Sequence, residues 1–238
     1  MGGAVKRRRG RLSPEAAAVA VMAAIAVVLL VILIAGKEAG EAEQEQADPA
    51  GALCVVCIDP GHGGGDQGAS WEGRLEKDDN LAVALALQQA LEERNIRAVL
   101  TREGDAALTL EERVDFAQEQ QADLYISLHR NYADQPACGV EIWVAEQCSE
   151  TSEALARRVD EGLAAVGVQR DRGVRFGSQS GEGDYYVLSH TAMPAVLVEL
   201  GFIQDAEDNR LLDEHREDYA AAIADAVETV WKEGHPSA

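Results

Sequence analysis

The chain has 238 residues, 47% of them apolar, and a formal net charge of −21. That length holds one well-cored domain of ordinary size with short appendages and leaves no room for a second large one. An acidic field of this size repels nucleic-acid backbones, so a nucleic-acid partner is excluded.

The charge is unevenly spread. Lys6, Arg7, Arg8, Arg9 and Arg11 form a basic block, and every residue from Ala16 to Ala35 is apolar. As a helix this run spans ~30 Å, the thickness of a bilayer core. Ser13-Pro14-Glu15 reads as its cap and first turn. Residues 1–15 are therefore expected in the cytoplasm and residues 16–36 as a transmembrane helix, with the C-terminal bulk sent across the membrane by the positive-inside tendency. A cleaved signal sequence is the competing reading and would leave the protein secreted. Its apolar region usually has only ~7–15 residues, however, and the small-x-small signal at Gly40-Glu41-Ala42 is weak. Residues 37–51 are mostly Glu, Gln, Ala and Gly and read as an acidic flexible linker.

Residues 52–238 alternate strand-like and helical runs, which predicts a single α/β domain with a central, mostly parallel or mixed sheet flanked by helices. Strands are expected over Leu53–Asp59, Arg97–Thr101, Leu124–Leu128, Gly139–Val144 and Ala195–Leu200. Helices are expected over Glu76–Arg94, with Leu81, Leu85, Leu87 and Leu91 on its buried side, from the capping box Thr109-Leu110-Glu111-Glu112 to about Gln120, over Ser152–Ala165 and over Arg216–Trp231. Ala69–Leu75 reads as loop. Four cysteines in an exported chain invite disulfides, but Cys54 and Cys57 lie three apart in one strand, pointing to opposite faces ~10 Å apart. Cys138 and Cys148 bracket another strand, so all four are expected as buried free thiols.

Polar residues gather where strands end or a helix begins, the edge at which open α/β sheets bind ligands. His62, Glu76 and His129 are the residue types of a catalytic zinc site. Singly, each has a structural reading: an isolated histidine is commonly a satisfied polar group, and Glu76 suits the positive end of a helix macrodipole. Glu199 interrupts an apolar strand, where a carboxylate is costly unless paired, near a metal, protonated or turned to solvent. Gly63-Gly64-Gly65-Asp66-Gln67-Gly68 formally fits a dinucleotide fingerprint, but the next helix starts too late, near Glu76.

Four segments carry a family resemblance. Asp59 to Ala69 reads D-P-G-H-G-G-x-D-x-G-A, Glu76 to Leu81 reads E-K-D-x-N-L, Ser127 to Asn131 reads S-x-H-x-N, and Met193 to Asp208 reads M-P-A-V-L-V-E-x-G-F-x-x-x-x-E-D. In this order they resemble the zinc-dependent N-acetylmuramoyl-L-alanine amidases, over about Leu53 to Trp231. The resemblance implies Zn²⁺ held by His62, Glu76 and His129, Glu199 as the catalytic carboxylate, and peptidoglycan as the substrate. One anchor plus one catalytic domain is similar to the amidases that process spore cortex; general wall remodelling fits the same residues. A zinc peptidase acting within the stem peptide and a non-catalytic wall-binding protein remain the alternatives. Asp66, Asn80 and Asn131 are expected either to hydrogen-bond the ligands or to form turns. His190, His215 and His235 are given no role. Arg170, Arg172 and Arg175 suit either stem-peptide carboxylates or a solvated basic loop. Arg130 departs from the family's small or neutral residue beside the second histidine, which puts substrate preference near the metal in question. The short passage from Asn131 to the Gly139 strand leaves no room for the helical insertion that blocks the site in some relatives.

Overall fold

The computed structural model describes residues 51–236, and the anchor and linker expected within residues 1–50 lie outside them. Among the described residues no helix is long and apolar enough to cross a membrane. In chain order the elements are β1 (Val55–Pro60), β2 (Ser70–Trp71), β3 (Arg74–Leu75), α1 (Glu76–Glu92), β4 (Arg97–Leu100), α2 (Leu110–Glu119), β5 (Leu124–Asn131), β6 (Val140–Val144), α3 (Glu150–Val166), β7 (Asp171–Phe176), α4 (Tyr186–His190), β8 (Ala195–Phe202) and α5 (Ala206–Gly234).

Six strands form one sheet in the order β4-β1-β5-β8-β6-β7, while β2 and β3 make a separate hairpin. β4, β1, β5 and β8 run parallel; β6 pairs antiparallel with β8 and parallel with β7, so the sheet is mixed. Side chains alternate across the pleat. Val56, Ile58, Ile126, Leu128, Val196 and Val198 pack against α1, α3 and α5 on one face. Cys57, Tyr125 and Leu197 face the smaller layer of α2 and α4. Each fully buried aliphatic side chain in these layers contributes roughly 1.5–3 kcal/mol.

The expected α/β architecture is present, with element-level differences. In α1 the buried stripe is Asn80, Val83, Ala84, Leu87, Ala90 and Leu91, at helical spacing. Leu85 falls off that stripe and is 43% exposed. α5 starts ten residues earlier than Arg216, because the Asp205 side chain accepts from the backbone N–H groups of Glu207 and Asp208; non-helical backbone at His215 then bends the helix. Ala69–Leu75 is not all loop but carries the β2–β3 hairpin. β7 and α4 were not foreseen. All four cysteines are free thiols, as expected; Cys54 and Cys57 are also buried, whereas Cys138 and Cys148 are partly exposed against the expectation of buried thiols.

Candidate metal centre and active site

Three elements of one sheet edge bring His62, Glu76 and His129 together. His62 follows β1, Glu76 opens α1 beside the sheet, and His129 lies inside β5 rather than after it, because that strand continues to Asn131. One ligand-capable atom from each lies within 4.8 Å of the other two. Glu76 Oε1 is 3.2 Å from His62 Nε2 and 2.9 Å from His129 Nδ1. The two imidazoles meet edge to face with centroids 5.0 Å apart.

The surrounding backbone is shaped to this convergence. The backbone N–H of Arg130 donates to Glu76 Oε1 (3.1 Å) and that of Ala69 to Oε2 (2.8 Å), so both carboxylate oxygens are fixed. A Cβ on Gly61 would stand 2.2 Å from the His129 ring, and one on Gly68 2.6 Å from Glu76 Oε2. Those two glycines permit the close approach. His62 itself has φ +63°, a left-handed conformation that a non-glycine residue holds only when its surroundings enforce it.

The enforcing groups were read from sequence only as motif letters or not at all. Arg102 Nε donates to Pro60 O and its Nη2 to Gly61 O, while Arg113 Nη2 donates to His62 O. Under the loop, Asp59 accepts from Arg113 Nη1 (2.6 Å), Thr101 Oγ1 (2.7 Å) and Ser127 Oγ (2.8 Å). Burial opposes ionisation of Asp59, but the Arg113 guanidinium and the Thr101 hydroxyl hold its carboxyl below the usual range.

Glu199 sits in register with His129 on the neighbouring strand, and Glu141 of β6 is in register with Glu199 on its other side. The three side chains form a row on the face that carries α2 and α4. Glu199 is only 6% exposed, which removes the solvent-facing reading, and its Oε2 has no hydrogen-bond partner. Burial, then the negative charges of Glu76 and Glu141, push its carboxyl well above the usual carboxylate range. Glu141 was not singled out from sequence. The signal was the same as for Glu199: an acid inside an apolar strand. It accepts from Asn131 Nδ2 (2.7 Å) and Arg172 Nε (2.7 Å).

The remaining expectations separate cleanly. Asp66 bonds His62 Nδ1 at 2.8 Å, as a partner of that ring. Asn80 donates to Gly61 O, and Asn131 serves Glu141 rather than an imidazole. Arg172 reaches the acidic row and lies over the Phe202 ring, whereas Arg175 approaches Glu141 only to 4.0 Å. Arg130 is not beside the cleft. Alternation in β5 turns it to the opposite face, where it is buried against Asp79, Asn209 and Gly201 O. His190 stacks on Tyr186 and His235 on Trp231; His215 bonds Asp218. No helix lies between β5 and β6.

Two imidazoles and a carboxylate facing one another suit a divalent cation of intermediate softness. Burial favours the neutral acid of Glu76, yet the hydrogen bonds from His129 and His62 hold it well below the carboxylate range. For His62, burial disfavours the charged ring, but Glu76 and then Asp66 raise its proton affinity. Asp66 occupies Nδ1 of His62, so its Nε2 is the nitrogen turned to the shared centre. The donor set therefore fits Zn²⁺ in both type and convergence.

Comparison with known proteins agrees with the four motifs. Residues 56–229 match the family described as N-acetylmuramoyl-L-alanine amidase. The uncharacterized protein YqiI of Bacillus subtilis is 41% identical over 73% of this chain and 81% of its own length. The N-acetylmuramoyl-L-alanine amidase LytC of the same organism is 35% identical over 75% of this chain, which spans only 36% of LytC. The structure of the amidase AmiC2 of Nostoc punctiforme superposes with a TM-score of 0.66 at 33% identity, covering 74% of this chain and 96% of that one. With its motifs in family order and their side chains gathered at one sheet edge, the chain belongs to the N-acetylmuramoyl-L-alanine amidase family.

Proposed function

We propose that this protein hydrolyses the amide between N-acetylmuramic acid and L-alanine of peptidoglycan, with Zn²⁺ on His62, Glu76 and His129 and with Glu199 moving the proton. The observation that carries this reading is the Glu199–His129 register, which sets a buried carboxyl with an unpartnered oxygen beside the His/Glu/His group. A wall-binding protein without catalysis has no need of so costly a group. Bound Zn²⁺ supplies Lewis acidity towards a carbonyl oxygen and a water alike.

The chain's own residues do the rest. Asp66 fixes the tautomer and tilt of His62. Arg102 and Arg113 hold the His62 loop by its carbonyls, so the cluster is organised before substrate arrives. Ionised Glu199 accepts a proton from the attacking water, then returns it to the departing L-alanine nitrogen.

The basic block and apolar run of residues 6–35 support membrane anchoring with an extracytoplasmic active site, where the polymer lies. The short build supports spore-cortex processing or vegetative wall remodelling, and the short β5–β6 connection supports an open site that needs no activator. Digestion of purified peptidoglycan by the full chain, with and without a chelator, tests the reading by fragment mass. Amidase action frees the L-alanine amine from intact glycan; peptidase action leaves L-alanine on muramate. Activity that survives chelation, or glycan whose muramate still carries L-alanine after the peptides are released, overturns it.

A further inference from the structure

Two exposed aromatic side chains stand apart from both cores. Trp71 of β2 and Tyr132, the residue after β5, are each 44% exposed and line a common cleft of about 280 Å³. The backbone of each is tied down. Trp71 pairs across the hairpin with Arg74, whose guanidinium bonds Asp79 of α1 and Asp213 of α5. The Tyr132 N–H donates to Asn131 Oδ1 at 2.8 Å. The polar wall is made by Asp134, Gln135, Gln204 and Asp205. Gln204 is oriented by donating to Ala133 O, which leaves its buried Oε1 without a partner.

Exposed aromatic faces beside carboxylates and amides suit a ligand with an apolar C–H face and a rim of hydroxyl and N–H groups. An acidic wall on a chain of net charge −21 disfavours an anion. A neutral N-acetylhexosamine, the repeating unit of the polymer named above, meets both conditions. Placement supplies the third argument: Trp71 lies in the hairpin that leads into α1, which Glu76 opens, and Tyr132 directly follows β5, which carries His129, so the cleft lies at the C-terminal end of that strand.

We propose that the Trp71–Tyr132 cleft is a subsite for the glycan strand, in which sugar rings stack on the two aromatics and their hydroxyl and acetamido groups meet Asp134 and Asp205. The proposal deepens the peptidoglycan reading and rests on it for the identity of the polymer. N-acetylglucosamine oligomers, neutral and free of peptide, are the probe, titrated calorimetrically into the full chain in detergent. Saturable binding is expected, with Trp71→Ala and Tyr132→Ala each weakening it about tenfold, Asp134→Ala a few-fold, and Trp71→Phe retaining most of it. Melting curves identify any variant that fails to fold, and Trp71→Phe with Asp134→Ala then decide. No binding by the unsubstituted chain, aromatic variants that bind as it does, or capture of free stem peptide instead of sugar overturns the proposal. Because the oligomers contain no scissile amide, the two readings fail separately. A chain that binds them through Trp71 yet leaves peptidoglycan intact removes the amidase and keeps the subsite; one that cuts peptidoglycan with no aromatic-dependent sugar binding does the reverse.

Discussion

Asp59 and Glu199 lie on neighbouring parts of the same sheet, both buried, and are held in opposite ways. Asp59 has three donors around it and a carboxyl kept below the usual range; Glu199 has an oxygen with no donor and a carboxyl pushed far above it. The first is a structural carboxylate whose charge locks β1, β4, α2 and β5 under the His62 loop. The second is the group that exchanges a proton in the function proposed above. Burial alone does not tell the two apart; the count of partners does.

The largest expected effect comes from removing the exchangeable proton. Glu199→Gln should lower the turnover of peptidoglycan by about a hundred- to ten-thousand-fold. Zinc content, measured by elemental analysis, should stay at the native ratio, and thermal stability should be unchanged or higher. A variant that keeps native turnover would reduce Glu199 to a buried accident.

Asp59→Asn acts on the other member of the pair and should destabilise by about 3–5 kcal/mol in urea unfolding, because it leaves Arg113 buried without its counter-charge. The pH dependence of the metal-free protein separates them further. A lowered folded pKa means that the Asp59 contribution is present above its ordinary value of 3.8 and lost as pH falls through the lower folded value. For Glu199 the sign reverses: stability is fully present below its ordinary value of 4.5 and declines as pH rises toward the raised folded value. Unfolding free energies measured from pH 3 to 8, roughly the span over which carboxylates titrate, should show Asp59→Asn flattening the acid limb and Glu199→Gln the alkaline one.

How much of this was legible depends on whether chemistry or geometry carried the signal. His62, Glu76, His129 and Glu199 were visible chiefly because the four segments that carry them resemble one family in the family's order; taken singly, each residue also had a structural reading. Glu141 interrupts an apolar strand as Glu199 does and was passed over, since nothing in one dimension says that β6 lies antiparallel beside β8. Arg102 and Arg113 were invisible as clamps, because their partners are carbonyl oxygens some 40 to 50 residues away. The helices were read by hydrophobic spacing, which located α1 but put Leu85 on the wrong side. Arg130 shows the same limit. Its neighbour is a centre residue, yet strand alternation sends the two side chains to opposite faces.

That alternation makes Arg130 a further probe. Its guanidinium joins Asp79 of α1, Asn209 of α5 and the Gly201 carbonyl of β8, the elements that position Glu76 and Glu199. Arg130→Ala should destabilise by about 2 kcal/mol, less than Asp59→Asn, because Arg74 still pairs with Asp79. The KM for peptidoglycan should move little. A large KM rise with unchanged stability would restore Arg130 to the substrate side.

The smallest effect tests whether the knot can be loosened from outside. Thr109 caps α2 reciprocally: its hydroxyl accepts from the Glu112 N–H and its own N–H donates to the Glu112 carboxylate. Removing such a cap costs about 1 kcal/mol. Here the frayed turn includes Arg113, whose N–H bonds Thr109 O and whose guanidinium holds Asp59 and the His62 carbonyl. Thr109→Ala should therefore weaken zinc binding several-fold, less than the roughly 10–100-fold typical of partners bonded directly to metal ligands. Thr109→Ser, which keeps the accepting oxygen, should do neither. Equal zinc affinity in both variants would show that the His62 loop is held by Asp59 and Arg102 without help from the helix end.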